Sequence, residues 1–223
     1  MHTVARVSSP TVATLPAGAE LRVRGPATGD AVICVNGGRS KRVEGTWSAS
    51  LEWLVDRLAP QFPSVRFAEV RYRVKSWQQL DWCIEDAHEA IAAVAAPRTL
   101  MLGFSMGGAV SAAVAGESGV VGVLGLAPWL PERLSLAGLR GKRFRVVHGR
   151  LDRAFPGVPG VAPGSSRSGF ERALSAGADG EYTLLAGAVH GVALRAPWGT
   201  PVPLPRSQSW LHVCADELAR FAA

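Results

Sequence analysis

The strongest constraint on the fold is an alternation, from residue 31 onward, of short apolar runs and longer amphipathic segments. Residues 31–35 are all apolar and run into Asn36-Gly37-Gly38, a pattern typical of a strand buried on both faces of a sheet. Residues 48–58 then carry leucines three or four positions apart, as expected for a helix with one apolar face. Because strands that alternate with helices form βαβ units, the sequence predicts an α/β fold with a mainly parallel sheet.

The same criteria predict eight strands, over residues 11–15, 20–24, 31–35, 65–72, 99–103, 120–126, 143–147 and 182–185. Helices are predicted over residues 48–58, 80–94, 106–115, 131–139, 170–176 and 207–222. Two stretches rich in proline, glycine or serine, 155–168 and 196–205, are predicted to be irregular loops. The predicted helices therefore cover both faces of one sheet.

The size and composition of the chain limit what it can be. Its 223 residues can bury a large core, and we expect a single domain over residues 1–223. Hydrophobic residues make up 48% and charged residues 19%, which is typical of a globular protein rather than a disordered one. There is no run of 18 apolar residues and no apolar segment typical of a secretory signal near the first residue, so we expect no membrane partner.

The net charge of +6 raises the alternative of a nucleic-acid-binding protein. The lysines and arginines are scattered rather than gathered in one tract, so solvated positive faces are the simpler interpretation, and we expect no nucleic-acid partner. The three cysteines, Cys34, Cys83 and Cys214, match neither a zinc pattern nor a disulfide framework. Their presence as free thiols favours the cytoplasm.

The most informative motif is Gly103-Phe104-Ser105-Met106-Gly107, a G-x-S-x-G pattern. It places a serine on a sharp turn between a strand and a helix, where larger residues than glycine at the first and last positions would collide. The N-terminus of the following helix directs free N–H groups toward the site. A glycine-rich turn with an idle serine is the alternative, but the flanking apolar strand and small-residue helix favour a nucleophile.

A nucleophilic serine needs a histidine base and an acid that orients the base. In α/β folds such groups follow the C-terminal ends of strands. Asp152 follows the predicted strand 143–147, and His190 follows 182–185. The order Ser105, Asp152, His190 is that of the α/β-hydrolase arrangement.

Other residues compete for the roles of base and acid. His148 ends a predicted strand but precedes Asp152 by only four residues, so we interpret it as structural. The remaining histidines lie near the N-terminus or in predicted helices. Asp179 and Glu171 are alternative acids, but neither follows the C-terminal end of a strand.

An oxyanion hole needs two backbone N–H groups. The first predicted donor is Met106, the residue after the nucleophile, and the second is Gly38, in the turn after strand 31–35. A flexible turn without a catalytic role remains the alternative for residues 36–39.

These motifs make the chain resemble a small capless α/β-hydrolase of the esterase and dienelactone-hydrolase-like kind, over nearly its whole length. Gly103-Phe-Ser-Met-Gly-Gly108 is similar to the nucleophile elbow of that family, and His148-Gly-Arg-Leu-Asp152 is similar to its acid motif. The resemblance implies an eight-stranded, mostly parallel sheet and Ser105, Asp152 and His190 as the catalytic triad. The family usually has His-Gly at the oxyanion turn, where this chain has Asn36-Gly37. Residues 127–142, between the sixth and seventh predicted strands, are too few for a lid domain.

Three residues are predicted to contact the substrate. Trp129 and Trp77 each follow a strand that ends near the site, although core packing is an equally good interpretation of both. Arg39 adjoins the oxyanion turn and Arg153 adjoins the acid, which leads to the hypothesis that the substrate carries a carboxylate.

The sequence therefore predicts a serine hydrolase that cleaves a small ester, lactone or thioester through an acyl-enzyme. No metal or organic cofactor is expected, because the sequence contains no metal-ligand spacing and no glycine-rich phosphate loop. Two alternatives stay open: a thioesterase or acyltransferase acting on carrier-bound acyl chains, and a non-catalytic ligand-binding protein with the same fold. The oligomeric state is left open.

Overall fold

A computed structural model describes residues 10–153 and 160–223, and its central feature is an eight-stranded sheet. The strands are β1 (Thr11–Thr14), β2 (Glu20–Arg24), β3 (Ala31–Val35), β4 (Arg66–Arg71), β5 (Thr99–Phe104), β6 (Val120–Leu126), β7 (Arg143–Gly149) and β8 (Asp179–Leu185). Their order is β1-β2-β4-β3-β5-β6-β7-β8. Only the pairs β1–β2 and β2–β4 are antiparallel, so the sheet is mostly parallel as predicted.

Five helices cover the two faces of this sheet: α1 (Ala49–Leu58), α2 (Leu80–Val94), α3 (Met106–Ala113), α4 (Pro163–Ser175) and α5 (Ser207–Ala222). Helices α2, α3 and α4 pack against one face, and α1 and α5 pack against the other. All five residues of β3 are buried, because helices lie over both of its faces. Within the described residues, no helix combines the length and the apolar character needed to cross a bilayer.

The predicted loop over residues 155–168 is wrong for its second half, because α4 begins at Pro163. Proline is accepted in the first turn of a helix, where its missing N–H would have no partner in any case. The composition of Pro163-Gly164-Ser165-Ser166 is thus that of a helix start rather than a loop. Residues 154–159 of the predicted loop lie outside the described residues.

The second predicted loop, residues 196–205, contains one strand of a hairpin. Strand β9 (Ala193–Arg195) pairs antiparallel with β10 (Pro201–Pro203), and the turn between them includes Gly199 at a φ of +94°. Two prolines fit in β10 because it is an edge strand, where an N–H is not required at every position.

The predicted helix over residues 131–139 is also wrong: this segment has only a 3-10 turn over Ala137–Leu139. The backbone hydrogen bonds here span three residues, as from Leu134 N–H to Pro131 O and from Leu139 N–H to Leu136 O, and no longer ladder develops. The connection from β6 to β7 therefore contains no lid domain, as predicted.

Candidate active site

Ser105 occupies a sharp turn between β5, which ends at Phe104, and α3, which begins at Met106. Its backbone has φ +55° and ψ −116°, a combination that is strained for a residue with a side chain. Hydrogen bonds from Ser105 N–H to Leu126 O and from Trp129 N–H to Ser105 O, both 2.9 Å long, hold it there. Strain that is maintained in this way is characteristic of functional sites.

The glycines two positions away from Ser105 are required by close packing. A Cβ on Gly103 would lie 2.2 Å from the carbonyl oxygen of Gly107, and a Cβ on Gly107 would lie 2.2 Å from the carbonyl oxygen of Val35. Both neighbours are backbone atoms that cannot rotate away. The turn thus depends on glycine at both positions, for the steric reason that the motif predicts.

The structure brings two of the predicted catalytic residues into direct contact. Asp152 lies after β7 and is fully buried, and its Oδ2 is 2.7 Å from His190 Nδ1. Its other oxygen, Oδ1, accepts a hydrogen bond of 3.1 Å from Val161 N–H. Burial by itself would raise the pKa of Asp152, but hydrogen bonds from His148 and His190 outweigh it and lower that pKa. Asp152 is thereby maintained as an anion, which can orient the His190 ring and stabilise its protonated form.

His148, which the sequence analysis interprets as structural, also contacts the acid. It is fully buried in β7, and its Nε2 lies 3.1 Å from Asp152 Oδ2 and 2.9 Å from Val161 O. Its ring stacks on Tyr182 with an interplanar angle of 12°. The feature of the sequence that could have indicated this contact is the spacing of four residues between His148 and Asp152.

The turn after β3 is fixed by the side chain of Asn36. Its Oδ1 accepts a hydrogen bond of 2.7 Å from Gly37 N–H, and its Nδ2 donates one of 2.8 Å to Thr46 O. The Tyr72 hydroxyl donates to the main-chain oxygen of Asn36 at 3.2 Å. Gly37 N–H is thus occupied, while within the described residues Gly38 N–H has no hydrogen-bond partner. This arrangement leaves Gly38 available as an oxyanion donor.

Two cavities meet at Ser105. The first, which we call the polar cleft, has a volume of about 250 Å³ and is lined by the turn at Asn36–Arg39, by Thr46–Ser50, and by Lys75, Phe104, Ser105, His190 and Ala193–Arg195. The second, which we call the apolar pocket, has a volume of about 230 Å³ and is lined by Trp77, Ser105, Met106, Trp129, Gly160 and Val161. Ser105 therefore borders both cavities.

The three predicted substrate-binding residues are divided between these cavities. Trp77 and Trp129 line the apolar pocket, and Arg39 lines the polar cleft. Arg153 is exposed and lies outside the lining of either cavity as the described residues form it. Lys75 and Arg195 also line the polar cleft, and sequence reasoning missed both.

The hairpin of β9 and β10, which directly follows the His190 loop, is fixed to α1. Ser50 Oγ accepts hydrogen bonds from Val192 N–H at 3.0 Å and from Ala193 N–H at 3.2 Å. Arg195 binds both oxygens of Glu52 at 3.1 Å. The loop that contains His190 is thus attached to α1.

Across the described part of the chain, no group of three or more His, Cys, Asp or Glu residues is arranged to hold a metal ion. The chemistry that the site can carry out with its own residues is acyl transfer. It contains a serine on a strained turn, a histidine that contacts a buried carboxylate, and backbone N–H groups at the end of β3 and the start of α3.

Comparison with known proteins identifies the fold. No family model and no curated protein sequence matches the chain. A structure of an α/β serine hydrolase homologue from Coxiella burnetii aligns with a TM-score of 0.66 and 14% identity over 97% of this chain and 100% of that one.

Two esterase structures are similarly related. A thermophilic esterase from Thermogutta terrifontis with bound propionate gives a TM-score of 0.69 at 16% identity, over 96% of this chain and 94% of that one. A Pyrobaculum calidifontis esterase gives 0.70 at 17% identity, over 99% of this chain and 86% of that one. These matches confirm the predicted α/β-hydrolase fold.

Proposed function

We propose that this chain is a serine hydrolase that cleaves a small ester, lactone or thioester through an acyl-enzyme. The observation that carries the proposal is the 2.7 Å contact between His190 Nδ1 and buried Asp152, with His190 lining the same cleft as Ser105. The α/β-hydrolase fold, shared with serine hydrolase and esterase structures, supports the same reaction class.

In the first half-reaction Ser105 Oγ attacks the substrate carbonyl, and its proton passes to His190 Nε2. The Asp152 carboxylate accepts the hydrogen bond from His190 Nδ1, which fixes the tautomer that leaves Nε2 free to accept a proton. The negative charge that develops on the carbonyl oxygen is stabilised by the N–H groups of Gly38 and Met106.

Collapse of the tetrahedral intermediate breaks the bond to the leaving group, and His190 returns the proton to the departing oxygen or sulfur. A water molecule then attacks the acyl carbon while His190 accepts its proton. The bond from the acyl carbon to Ser105 Oγ breaks, His190 returns the proton to Ser105 Oγ, and the carboxylic acid departs. Trp77 and Trp129 line an apolar pocket of a size that fits a short acyl or aryl group.

The proposal includes a reducing compartment such as the cytoplasm. Cys34, Cys83 and Cys214 are all buried free thiols, which supports this location.

The decisive experiment is covalent labelling of the purified protein with a fluorophosphonate probe. We expect the wild type to be labelled and both Ser105→Ala and His190→Ala to lose labelling. Ser118→Ala and His212→Ala, which replace an exposed serine and an exposed histidine, are the matched controls and should label like the wild type.

A panel of neutral esters, lactones and thioesters then defines the reaction. Turnover that requires Ser105 supports the hydrolase proposal. A wild type that is not labelled but still binds ligands at an accessible site would overturn the hydrolase proposal and favour the ligand-binding alternative. Turnover confined to thioesters of an acyl carrier would favour the carrier-dependent thioesterase.

A further inference from the structure

The lining of the polar cleft is strongly cationic. It includes Arg39, Lys75 and Arg195, while none of the described residues that line it is an aspartate or a glutamate. The charge of Arg195 is compensated by Glu52, which it binds through both carboxylate oxygens. Arg39 and Lys75 take part in none of the ion pairs among the described residues. Among residues 10–153 and 160–223, two positive charges in the cleft that contains Ser105 therefore have no carboxylate partner.

Lys75 is half-buried rather than extended into solvent. Its Nζ donates a hydrogen bond of 2.6 Å to Thr46 Oγ1, which leaves two of the three ammonium N–H groups free. Burial and the neighbouring charge of Arg39 lower the pKa of Lys75. The proximity of these two positive charges is electrostatically unfavourable, and an anion bound between them would offset it.

The backbone of Arg39 is hydrogen-bonded to the segment that carries Lys75. The Arg39 carbonyl oxygen accepts a hydrogen bond of 3.0 Å from Trp77 N–H, and Lys75 N–H donates one of 2.8 Å to Val43 O. These bonds join the segment after the oxyanion turn to the segment that carries Lys75. The two cations consequently belong to neighbouring backbone segments, and both line the cleft.

Which part of the substrate occupies this cleft follows from the position of the base. His190 lines the polar cleft, and it does not contribute to the apolar pocket as the described residues form it. In the proposed reaction His190 delivers the proton to the departing oxygen or sulfur, so the leaving group must lie on the His190 side. The acyl group then lies against Trp77 and Trp129.

We propose that Arg39 and Lys75 form a subsite for an anionic leaving group. The substrate is accordingly an ester or thioester whose alcohol or thiol part carries a carboxylate, while its acyl part is apolar. This inference rests on the proposed hydrolase function and specifies its substrate class. Arg39 is exposed and Lys75 is half-buried, and guanidinium and ammonium groups bind carboxylates through charge-assisted hydrogen bonds.

The test uses two pairs of esters. In the first pair the leaving group is varied, with 4-carboxyphenyl butyrate compared with 4-carbamoylphenyl butyrate. In the second pair the acyl group is varied, with the phenyl monoester of succinic acid compared with phenyl butyrate. The ratio of kcat/KM values within each pair is measured for the wild type, Arg39→Gln and Lys75→Gln, so that intrinsic differences in reactivity between esters cancel.

We expect the preference for the anionic leaving group to fall about tenfold in each variant and about a hundredfold in the double variant, as charge pairs near a protein surface contribute at this level. Circular dichroism spectra and thermal unfolding midpoints, compared with those of the wild type, establish that the variants are folded. The control Lys41→Gln removes a nearby exposed cation outside the cleft and should keep the wild-type ratio. Raising the salt concentration should reduce the preference in the wild type more than in the double variant.

Three results would overturn the proposal. One is turnover of all four esters with ratios that Arg39→Gln and Lys75→Gln do not change. Another is a dependence on these residues for the succinate ester alone, which would put the anion on the acyl side. The third is a loss of the preference in Arg153→Gln but not in the two cleft variants.

A binding measurement separates this proposal from the hydrolase proposal. Calorimetric titration of Ser105→Ala with 4-hydroxybenzoate and with 4-hydroxybenzamide needs no turnover. Tighter binding of the carboxylate, lost when Arg39 and Lys75 are also replaced, supports the anion subsite even in a protein without esterase activity. Equal binding of both compounds, in a protein that does hydrolyse neutral esters, overturns the subsite and leaves the hydrolase intact.

Discussion

His148 Nε2 lies 3.1 Å from Asp152 Oδ2, the oxygen that also accepts the hydrogen bond from His190. Because the other neighbour of His148 Nε2 is the carbonyl oxygen of Val161, this nitrogen must carry the proton. His148 Nε2–H is therefore shared between Val161 O and the buried carboxylate, and we assign His148 the role of a positioning residue.

Replacing His148 with phenylalanine should weaken the proposed catalysis while leaving Ser105, Asp152 and His190 in place. The ring remains packed against Tyr182, but Asp152 loses one of its donors and its pKa rises. Since a hydrogen bond to a charged group contributes about 1.5–3 kcal/mol, we expect kcat to fall at least tenfold with little change in KM. His148→Gln, which retains an N–H donor, should recover part of the loss. Equal kcat values in the wild type and His148→Phe would contradict this role.

Asn36→Ala should impair stabilisation of the transition state rather than binding of the substrate. The substitution releases Gly37 N–H and removes the donor to Thr46 O, so the turn that presents Gly38 is no longer fixed. We expect kcat/KM to fall about 10–100-fold. The affinity for a boronic acid that forms a tetrahedral adduct with Ser105 should fall by a similar factor. Tyr72→Phe, which removes one hydrogen bond to the Asn36 carbonyl, should cause a smaller loss. A loss of substrate affinity with unchanged boronate affinity would argue against this account.

Gly103→Ala should destabilise the fold itself. The new methyl group would lie 2.2 Å from Gly107 O and 2.6 Å from Ser111 Oγ, in a region that is fully packed. Overpacking of this kind costs about 1–3 kcal/mol, and more when backbone must move. The matched control is Gly164→Ala in α4, where a Cβ meets nothing within 4 Å and helix propensity should add up to about 1 kcal/mol. Urea unfolding of both variants tests the pair, and equal midpoints would refute the steric explanation.

The stability of the protein should decrease between about pH 4 and about pH 6 because of Asp86. This carboxyl group is fully buried in α2, and burial raises its pKa from 3.8 to about 6 despite a hydrogen bond of 3.0 Å from Arg73 N–H. In this interval the folded state retains a proton that the unfolded chain has released, so each rise in pH favours unfolding. Asp86→Asn removes the titrating carboxyl group and with it this loss of folding stability.

We expect the free energy of unfolding of Asp86→Asn to improve relative to the wild type by about 1–3 kcal/mol between pH 4 and pH 7. Asp81→Asn replaces an exposed carboxylate of the same helix and is the matched control. Denaturation with urea at several pH values measures both differences. A constant difference for Asp86→Asn would mean that Asp86 titrates as an exposed group does.

The strands of the sheet were predictable because their signal is local. Apolar runs such as β3 and β6 are as long as the strands they form, and the structure gives both with the predicted bounds. The start of α4 at Pro163 and the hairpin of β9 and β10 were not predicted. In both segments proline lies where its missing N–H has no cost, a circumstance that composition does not reveal.

The candidate site was predictable where a local motif or a position directly after a strand carries the information. Ser105 follows from the turn chemistry of its neighbours, and Asp152 and His190 follow from their places after strands. Lys75 and Arg195 are far from each other and from Ser105 in the sequence, and only the folded chain brings them to one cleft. Long-range contacts of this kind leave no periodic trace in the sequence.

Ser105 borders both cavities, and this has a kinetic consequence for the proposed reaction. After the first product departs, the acyl group still fills the apolar pocket, while the polar cleft is vacant and faces the base. Any second nucleophile must enter through that cleft, so the same cations that select the first leaving group would also recruit anionic alcohols in competition with water. The ratio of hydrolysis to transacylation is then a property of Arg39 and Lys75 rather than of the triad.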